Sequence, residues 1–363
     1  MSDRRLKGPV RIVGTGLLGT SIGLAMTARG VDVILADVSP SSLELAIDYG
    51  AGRREQPGDT PELIVVCVPP DVTAATVAAE LAAYPDALVT DVASVKAAPL
   101  AELTAHGADL SRYIGSHPMA GRERSGAISA RADLFIGRPW VIAGHDGISY
   151  TRAAPVEQLA LDLGAQPIEM GVEEHDRNVA LVSHAPQLVA SLLARRLGGA
   201  SDSAVALAGQ GLRDTTRIAS SDPELWIQIL RHNADPVVEI LRAYRDDLDT
   251  VIDALAEPEA RGARRAIAET LAGGNAGVAR IPGKHGQANH FSQIVVKIDD
   301  RPGQLARLLT EIGEAGVNME DLRLEHSPGA QIGLVEISVV PEVEQRLVDE
   351  LESRGWKIAG AFA

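Results

Sequence analysis

The sequence predicts an α/β domain with a doubly wound parallel sheet, followed by an all-α region and a small α+β module. Three observations predict this order. Through the first 150 residues, short apolar runs alternate with helical stretches, and the runs are continuous, as in strands buried on both faces. From about Thr151 long helical segments replace them. After residue 290 strand and helix patterns alternate again, over a segment short enough for one module. The expected divisions are 1–150, 151–272, a linker at 273–290, and 291–363.

The first apolar run, Val10-Arg11-Ile12-Val13, leads into Gly14-Thr15-Gly16-Leu17-Leu18-Gly19. In a strand–turn–helix the first such glycine allows a tight turn. The second admits a pyrophosphate to the backbone, and the third lets the helix pack close to the sheet. A helix is expected over 20–29, closed by Gly30, with its N-terminal N–H groups facing phosphate. The next run, 31–36, ends at Asp37, about 20 residues beyond the glycines, where a carboxylate accepts from an adenosine ribose. Gly14, Thr15, Gly16, Leu17, Leu18, Gly19 and Asp37 therefore form a Rossmann-type dinucleotide site. A carboxylate repels a 2′-phosphate, so NAD is expected over NADP, with Arg53 and Arg54 the only nearby basic groups that argue otherwise.

Further runs at 63–68, 87–90, 113–115 and 140–143 each end in turn residues. Ligands of such sheets lie beyond the carboxyl ends of the strands. Composition narrows the partners. A net charge of −15 argues against nucleic acid and anionic membranes. One cysteine, Cys67, excludes an internal disulfide and a cysteine metal cluster. The N-terminus has no apolar stretch of signal length and no segment is long enough to span a bilayer, so a soluble cytoplasmic protein is expected.

Residues 173–197 read as one long helix bent at Pro186, and Asp222-Pro223 and Asp235-Pro236 each read as a cap followed by proline. Helical sequence continues to about Leu271, with apolar stripes fit for the core of a homodimer. Gly273-Gly274-Asn275 opens the expected linker. The tail reads as strand 292–298, turn 299–303, helix 304–315, strands 318–325 and 332–340, helix 343–354 and a short last strand.

The groups fit for chemistry lie at the later strand ends. His117 has the pKa range a general base requires and is restrained by Pro118. Ser94, in Asp91-Val92-Ala93-Ser94-Val95-Lys96, can donate and accept, and could orient the histidine or a substrate hydroxyl. Lys96 reads equally as a cofactor-side or a solvated group. In the helical region His184 and Gln187 share a face, with His175 and Asp176 nearer the start of that helix. Asp214 and Arg217 are spaced to pair, which would set a guanidinium for a carboxylate. No ligand spacing recurs among the histidines, so no metal is expected.

These motifs resemble those of the prephenate/arogenate dehydrogenase family: GTGLLG at 14–19, DVASVK at 91–96, GSHPMAG at 115–121, HD at 175–176, SHAPQ at 183–187 and GLRDTTRIASSDPELW at 211–226. The likeness spans most of residues 9–272. The tail resembles an ACT domain through Asp300-Arg301-Pro302-Gly303 and Gly316-Val317-Asn318. The resemblance implies NAD-dependent oxidative decarboxylation of prephenate to 4-hydroxyphenylpyruvate, or of arogenate to tyrosine. It implies that His117 takes the C4 hydroxyl proton as hydride leaves C4, with Ser94 in the same hydrogen-bond network. Arg217, oriented by Asp214, would hold a carboxylate, Trp226 would contact the ring region, and His184 and Arg122 would support the pocket. Many family members carry a histidine where this chain has Gln187, which leaves the keto-acid or amino-acid side chain open. The ACT-like residues Asp300, Pro302, Gly303 and Asn318 imply an amino-acid effector, tyrosine being the natural one.

Two other readings compete. A β-hydroxy-acid or imine dehydrogenase of related architecture relies on a lysine in its helical domain, and residues 173–271 contain none. A regulator sensing NAD and an amino acid would bind without turnover, and would leave His117, Ser94 and Arg217 together unexplained.

Overall fold

The computed structural model describes residues 4–121, 126–281, 291–326 and 332–362. The chain divides into two compact units, residues 1–200 with 215–244, and residues 201–214 with 245–363.

The first unit is built on a sheet in the order β3-β2-β1-β4-β5-β6-β7-β8. Its strands are β1 (Val10–Val13), β2 (Val33–Ala36), β3 (Arg53–Arg54), β4 (Leu63–Val66), β5 (Leu88–Asp91), β6 (Tyr113–Pro118), β7 (Pro139–Gly144) and β8 (Gln166–Gly171). Neighbours are parallel except β6 and β7. β4 and β5 are buried along their whole length, as their unbroken apolar sequences require. The register sets Val13, Val66, Asp91 and Gly115 in one row across β1, β4, β5 and β6. The residues just past that row, Gly14 and His117 among them, therefore share one edge.

The sheet continues to Gly171, past position 150 where the sequence pattern changes. β8 is a half-exposed edge strand with Pro167 and Glu169, so it carries no apolar run to announce it. The helix after the glycine turn spans Leu17–Ala28, starting earlier than expected because Gly16 takes the extended cap conformation, and Gly30 closes it at φ +76°. The expected long helix is Val172–Val179, a π turn Ala180–His184, and Ala185–Leu197. Pro186 lies in the first turn of the last piece, where its missing N–H costs little, and the wider turn before it absorbs the bend. Asp222 caps Pro223–His232 through the Glu224 amide. Asp235 does not cap: Ala234–Ala256 begins one residue ahead of it, so its carboxylate sits in the first turn and favours the helix dipole instead.

In the second unit the helix Ala263–Val278 runs straight through Gly273-Gly274-Asn275, where a linker was expected. The alanines at 263, 266, 268, 272 and 276 offset the three glycines 273, 274 and 277, which each cost about 1 kcal/mol. The rest of that expected linker, 282–290, lies outside the described residues. The tail forms an antiparallel sheet in the order β10-β11-β9-β12, from β9 (Ser292–Asp299), β10 (Asp321–His326), β11 (Ile332–Val339) and β12 (Lys357–Phe362). With helices Gln304–Glu314 and Glu344–Ser353 this is a βαββαβ module. β9 alternates buried and exposed positions, and Ile294, Val296 and Ile298 pack with Leu308, Ile312, Leu347 and Leu351. Among the described residues no helix is long and apolar enough to cross a membrane.

Candidate active site

The three glycines of the turn have three separate reasons. Gly14 sits at φ +100°, and a Cβ there would come within 2.5 Å of the Cys67 carbonyl oxygen. A Cβ on Gly19 would strike the Gly14 oxygen at 2.0 Å, so the helix can approach the turn only without one. A Cβ on Gly16 would meet nothing within 4 Å, which leaves the open face of the turn for phosphate. Asp37 closes the turn from β2: its carboxylate accepts from the Thr15 amide at 2.6 Å and hydroxyl at 2.8 Å, and from the Ser39 amide. Arg53 is engaged by Asp32 and Asp59, and Arg54 by Glu44, so each basic group near Asp37 already has a carboxylate partner. These features fit a dinucleotide at the switch point between β1 and β4.

His117 lies on β6 at that same edge. Three strand spacings, about 14 Å, separate β6 from β1. His117 is 8% exposed, and its Nδ1 stands 2.9 Å from His175 Nε2, with the rings edge-on. His175 Nδ1 in turn lies 2.7 Å from Asp176 Oδ1. The proton positions follow from chemistry. Asp176 is held below the ordinary carboxylate range against the opposing effect of burial, by hydrogen bonds from His175 and from the Ala97 and Lys96 amides. An ionised carboxylate only accepts, so His175 Nδ1 donates to it and His175 Nε2 accepts from His117 Nδ1. His117 therefore keeps its lone pair on Nε2. Burial first, and then the neighbouring basic groups His175, Lys96 and His184, hold its pKa well below the ordinary imidazole value.

Asp176 does more than end this chain. Its two oxygens accept from the Lys96 and Ala97 amides, both at 2.9 Å, at the start of helix Ala97–Ala105. It thereby clamps one end of the loop that carries half-buried Ser94, while Asp91 clamps the other through the Ala93 amide. Ser94 lies on the loop that leaves β5, the neighbour of β6, and His175 is the group that orients His117. Lys96, read as a cofactor-side or solvated group, is fully buried and paired with Asp91.

His184 joins the cluster through Asn233, whose amide donates to the Asp176 carbonyl at 2.8 Å and to His184 Nδ1 at 3.0 Å. Burial pushes His184 down to about 4. Its ring meets Trp226 edge-on at 5.9 Å. Gln187 donates to Ser221 at 2.6 Å and Ser191 at 3.4 Å. Arg217 opens the short turn Arg217–Ala219, which packs on helix Ala185–Leu197. Asp214 belongs to the second unit, where it accepts from Gln210 at 2.8 Å. Arg122 lies outside the described residues. Asp300, Pro302, Gly303 and Asn318 are exposed, and Gly303 takes φ +88° ahead of helix Gln304–Glu314. A cavity of about 440 Å³ opens elsewhere, at the start of β6 and the ends of β7 and β8, lined by Ile114, His145, Tyr150 and Glu169 among others, and His117 does not line it.

A glycine turn fit for a dinucleotide and an oriented, neutral imidazole on one sheet edge define a nicotinamide-linked dehydrogenase. Known proteins narrow the class. Residues 22–168 match the nucleotide-binding domain of prephenate dehydrogenase, and residues 171–271 match its dimerization domain. A probable prephenate dehydrogenase of Streptomyces niveus is 37% identical over 361 residues, covering 95% of this chain and 98% of that one. The Synechocystis arogenate dehydrogenase structure is 27% identical with a TM-score of 0.60, covering 74% and 99%. The prephenate dehydrogenase of Aquifex aeolicus, solved with hydroxyphenyl propionate and NAD+, shares the fold at 24% identity and a TM-score of 0.66, covering 75% and 99%. This chain belongs to the prephenate dehydrogenase family, whose NAD-dependent oxidative decarboxylation serves tyrosine biosynthesis.

Proposed function

We propose that this chain oxidises and decarboxylates prephenate or arogenate with His117 as the base. The observation that carries the reading is the alignment Asp176–His175–His117, which leaves the His117 Nε2 lone pair available at the edge bearing the glycine turn. The bound cofactor, held at Gly14–Gly19 with Asp37 toward the ribose, supplies the hydride acceptor.

His117 Nε2 takes the proton of the C4 hydroxyl, so the C4 oxygen can form a carbonyl as the C4–H bond gives up its electron pair. Ser94 bonds the same hydroxyl. In the dienone, the bond from ring to carboxylate breaks. Its electrons aromatise the ring, carbon dioxide leaves, and His117 returns its proton to the phenolate oxygen. Burial keeps His117 unprotonated before the reaction, and the positive charge it gains is one imidazole from the Asp176 carboxylate. Arg217 binds a substrate carboxylate, Trp226 borders the ring and His184 supports that wall. Gln187 faces the side chain that separates the two substrates.

Prephenate and arogenate, each offered with NAD+ and NADP+ while absorbance at 340 nm is followed, test this reading. Reduction of NAD+ by one or both substrates supports it, and no reduction with either defeats it. The protein is a homodimer in this reading, consistent with the dimerization-domain match and the exposed Leu192, Leu193, Ile227, Leu248 and Ile252 on its helices. The exposed turn at Asp300, Pro302 and Gly303, with Asn318, is the proposed effector site for tyrosine. Titration with tyrosine of the full chain and of a chain ending at 290 tests it, and equal inhibition of both would remove the idea.

A further inference from the structure

Beneath His117 lies a set of charged groups that the chemistry above leaves unused. Lys96, Asp91 and Tyr113 are each at most 1% exposed. The Lys96 ammonium donates to Asp91 Oδ1 and, at 2.7 Å, to the main-chain carbonyl of Ser116, the residue before the base. Tyr113 donates to Asp91 Oδ2 at 2.8 Å, and the Ala93 amide donates to Oδ1 at 2.8 Å. Gly115 leaves room for the lysine. A Cβ there would lie 3.0 Å from Lys96 Cδ, 3.2 Å from Asp91 Oδ2 and 3.3 Å from the Tyr113 hydroxyl. The strand end that presents His117 thus closes over an ammonium.

A buried ion pair is a poor source of stability, because desolvation offsets most of the attraction and apolar replacements are often as stable. Its location is therefore the informative feature. We propose that Lys96 is a positioning residue for the reaction, holding the Ser116 peptide so that His117 stays in line with His175. The inference rests on His117 being the base.

The groups facing His117 are His175, with Asp176 behind it, and His184 from the helical side, and Lys96 from the sheet. Asp91, ion-paired with Lys96, adds a carboxylate on the same side, so the intact pair presents little net charge to the imidazole. Burial lowers the Lys96 pKa, and the adjoining Asp91 carboxylate opposes that shift.

The test uses Lys96→Gln, which keeps a donor for the Ser116 carbonyl, and the double variant Lys96→Met with Asp91→Asn, which leaves no orphaned carboxylate. Melting temperature and NAD+ affinity establish that each is folded. The pH profile of kcat/KM is then compared with wild type. The expected result is an acidic limb moved upward by about half to one pH unit in Lys96→Gln, which leaves the Asp91 carboxylate uncompensated, and little moved in the double variant, which removes both charges. Plateau kcat should stay close to wild type for Lys96→Gln and fall about tenfold in the double variant. An unmoved limb in Lys96→Gln, with plateau kcat within about twofold of wild type in both folded variants, would overturn the proposal and make the pair a brace only. His117→Asn separates the two levels: if it retains turnover, the base assignment fails, and if it is inactive while the Lys96 variants match wild type, only the lysine proposal fails.

Discussion

The two sheets of this protein place their polar residues by opposite rules. In the eight-stranded sheet the central strands β4, β5 and β6 are buried along their length and the polar groups collect past one edge, where Asp91, Ser116 and His117 are shielded from water. In the four-stranded sheet one face is apolar, and the charges sit outside, as Arg307 with Glu311 and Arg354 with Glu314 and Glu350. The same residue types do different work in the two settings. Buried and fully bonded, they fix tautomers and shift basicity. On a surface they are screened, and contribute little beyond solubility.

That contrast can be broken in order of expected effect. Asp176→Asn should lower kcat by about a hundredfold with little change in NAD+ affinity, because His175 loses the acceptor that sets its tautomer. Steady-state kinetics and cofactor titration check this. Arg217→Ala should lower kcat/KM by about 10- to 100-fold, chiefly through KM, as expected for a lost carboxylate contact. Leu308→Ala, in the core of the four-stranded module, should destabilise that module by about 2–4 kcal/mol in denaturant melts while leaving kcat unchanged. A large fall in kcat there would mean that the two sheets are not functionally separate.

A smaller effect concerns acid. His184 binds its proton at about 4 when folded and at the ordinary imidazole value of about 6.5 when unfolded. Between these values the unfolded chain holds more protons, so stability should fall as pH drops from 6.5 toward 4 and stay flat above. His184→Gln should flatten that slope in melting curves taken across the same range. The smallest effect belongs to the exposed pair Arg265–Glu269: removing it should leave the melting temperature nearly unchanged.

Much of this was legible from residues alone, where the signal was local. The glycine turn, the helix after it, His117 at a strand end and the order of the C-terminal elements all follow from short-range pattern. What escaped was long-range or edge-like. His175 is 58 positions from His117, and no periodicity in either segment announces their contact. The pair His175-Asp176 was visible as a polar step at the start of an amphipathic helix, a signal that marks a face and not a partner. Lys96 gave no sign of burial, because its partner Asp91 and its space at Gly115 emerge only when β5 and β6 pair. β8 lacked an apolar run because it is an edge, and the glycines at 273–274 were outweighed by surrounding alanines.

The central claim is that one imidazole, oriented through His175 by Asp176, removes the substrate proton. The most direct measurement is NADH formation by His117→Asn beside wild type, with cofactor affinity measured on the same samples. The account predicts a loss of about 10²–10⁴-fold in kcat with NAD+ binding intact; turnover within a few-fold of wild type would contradict it.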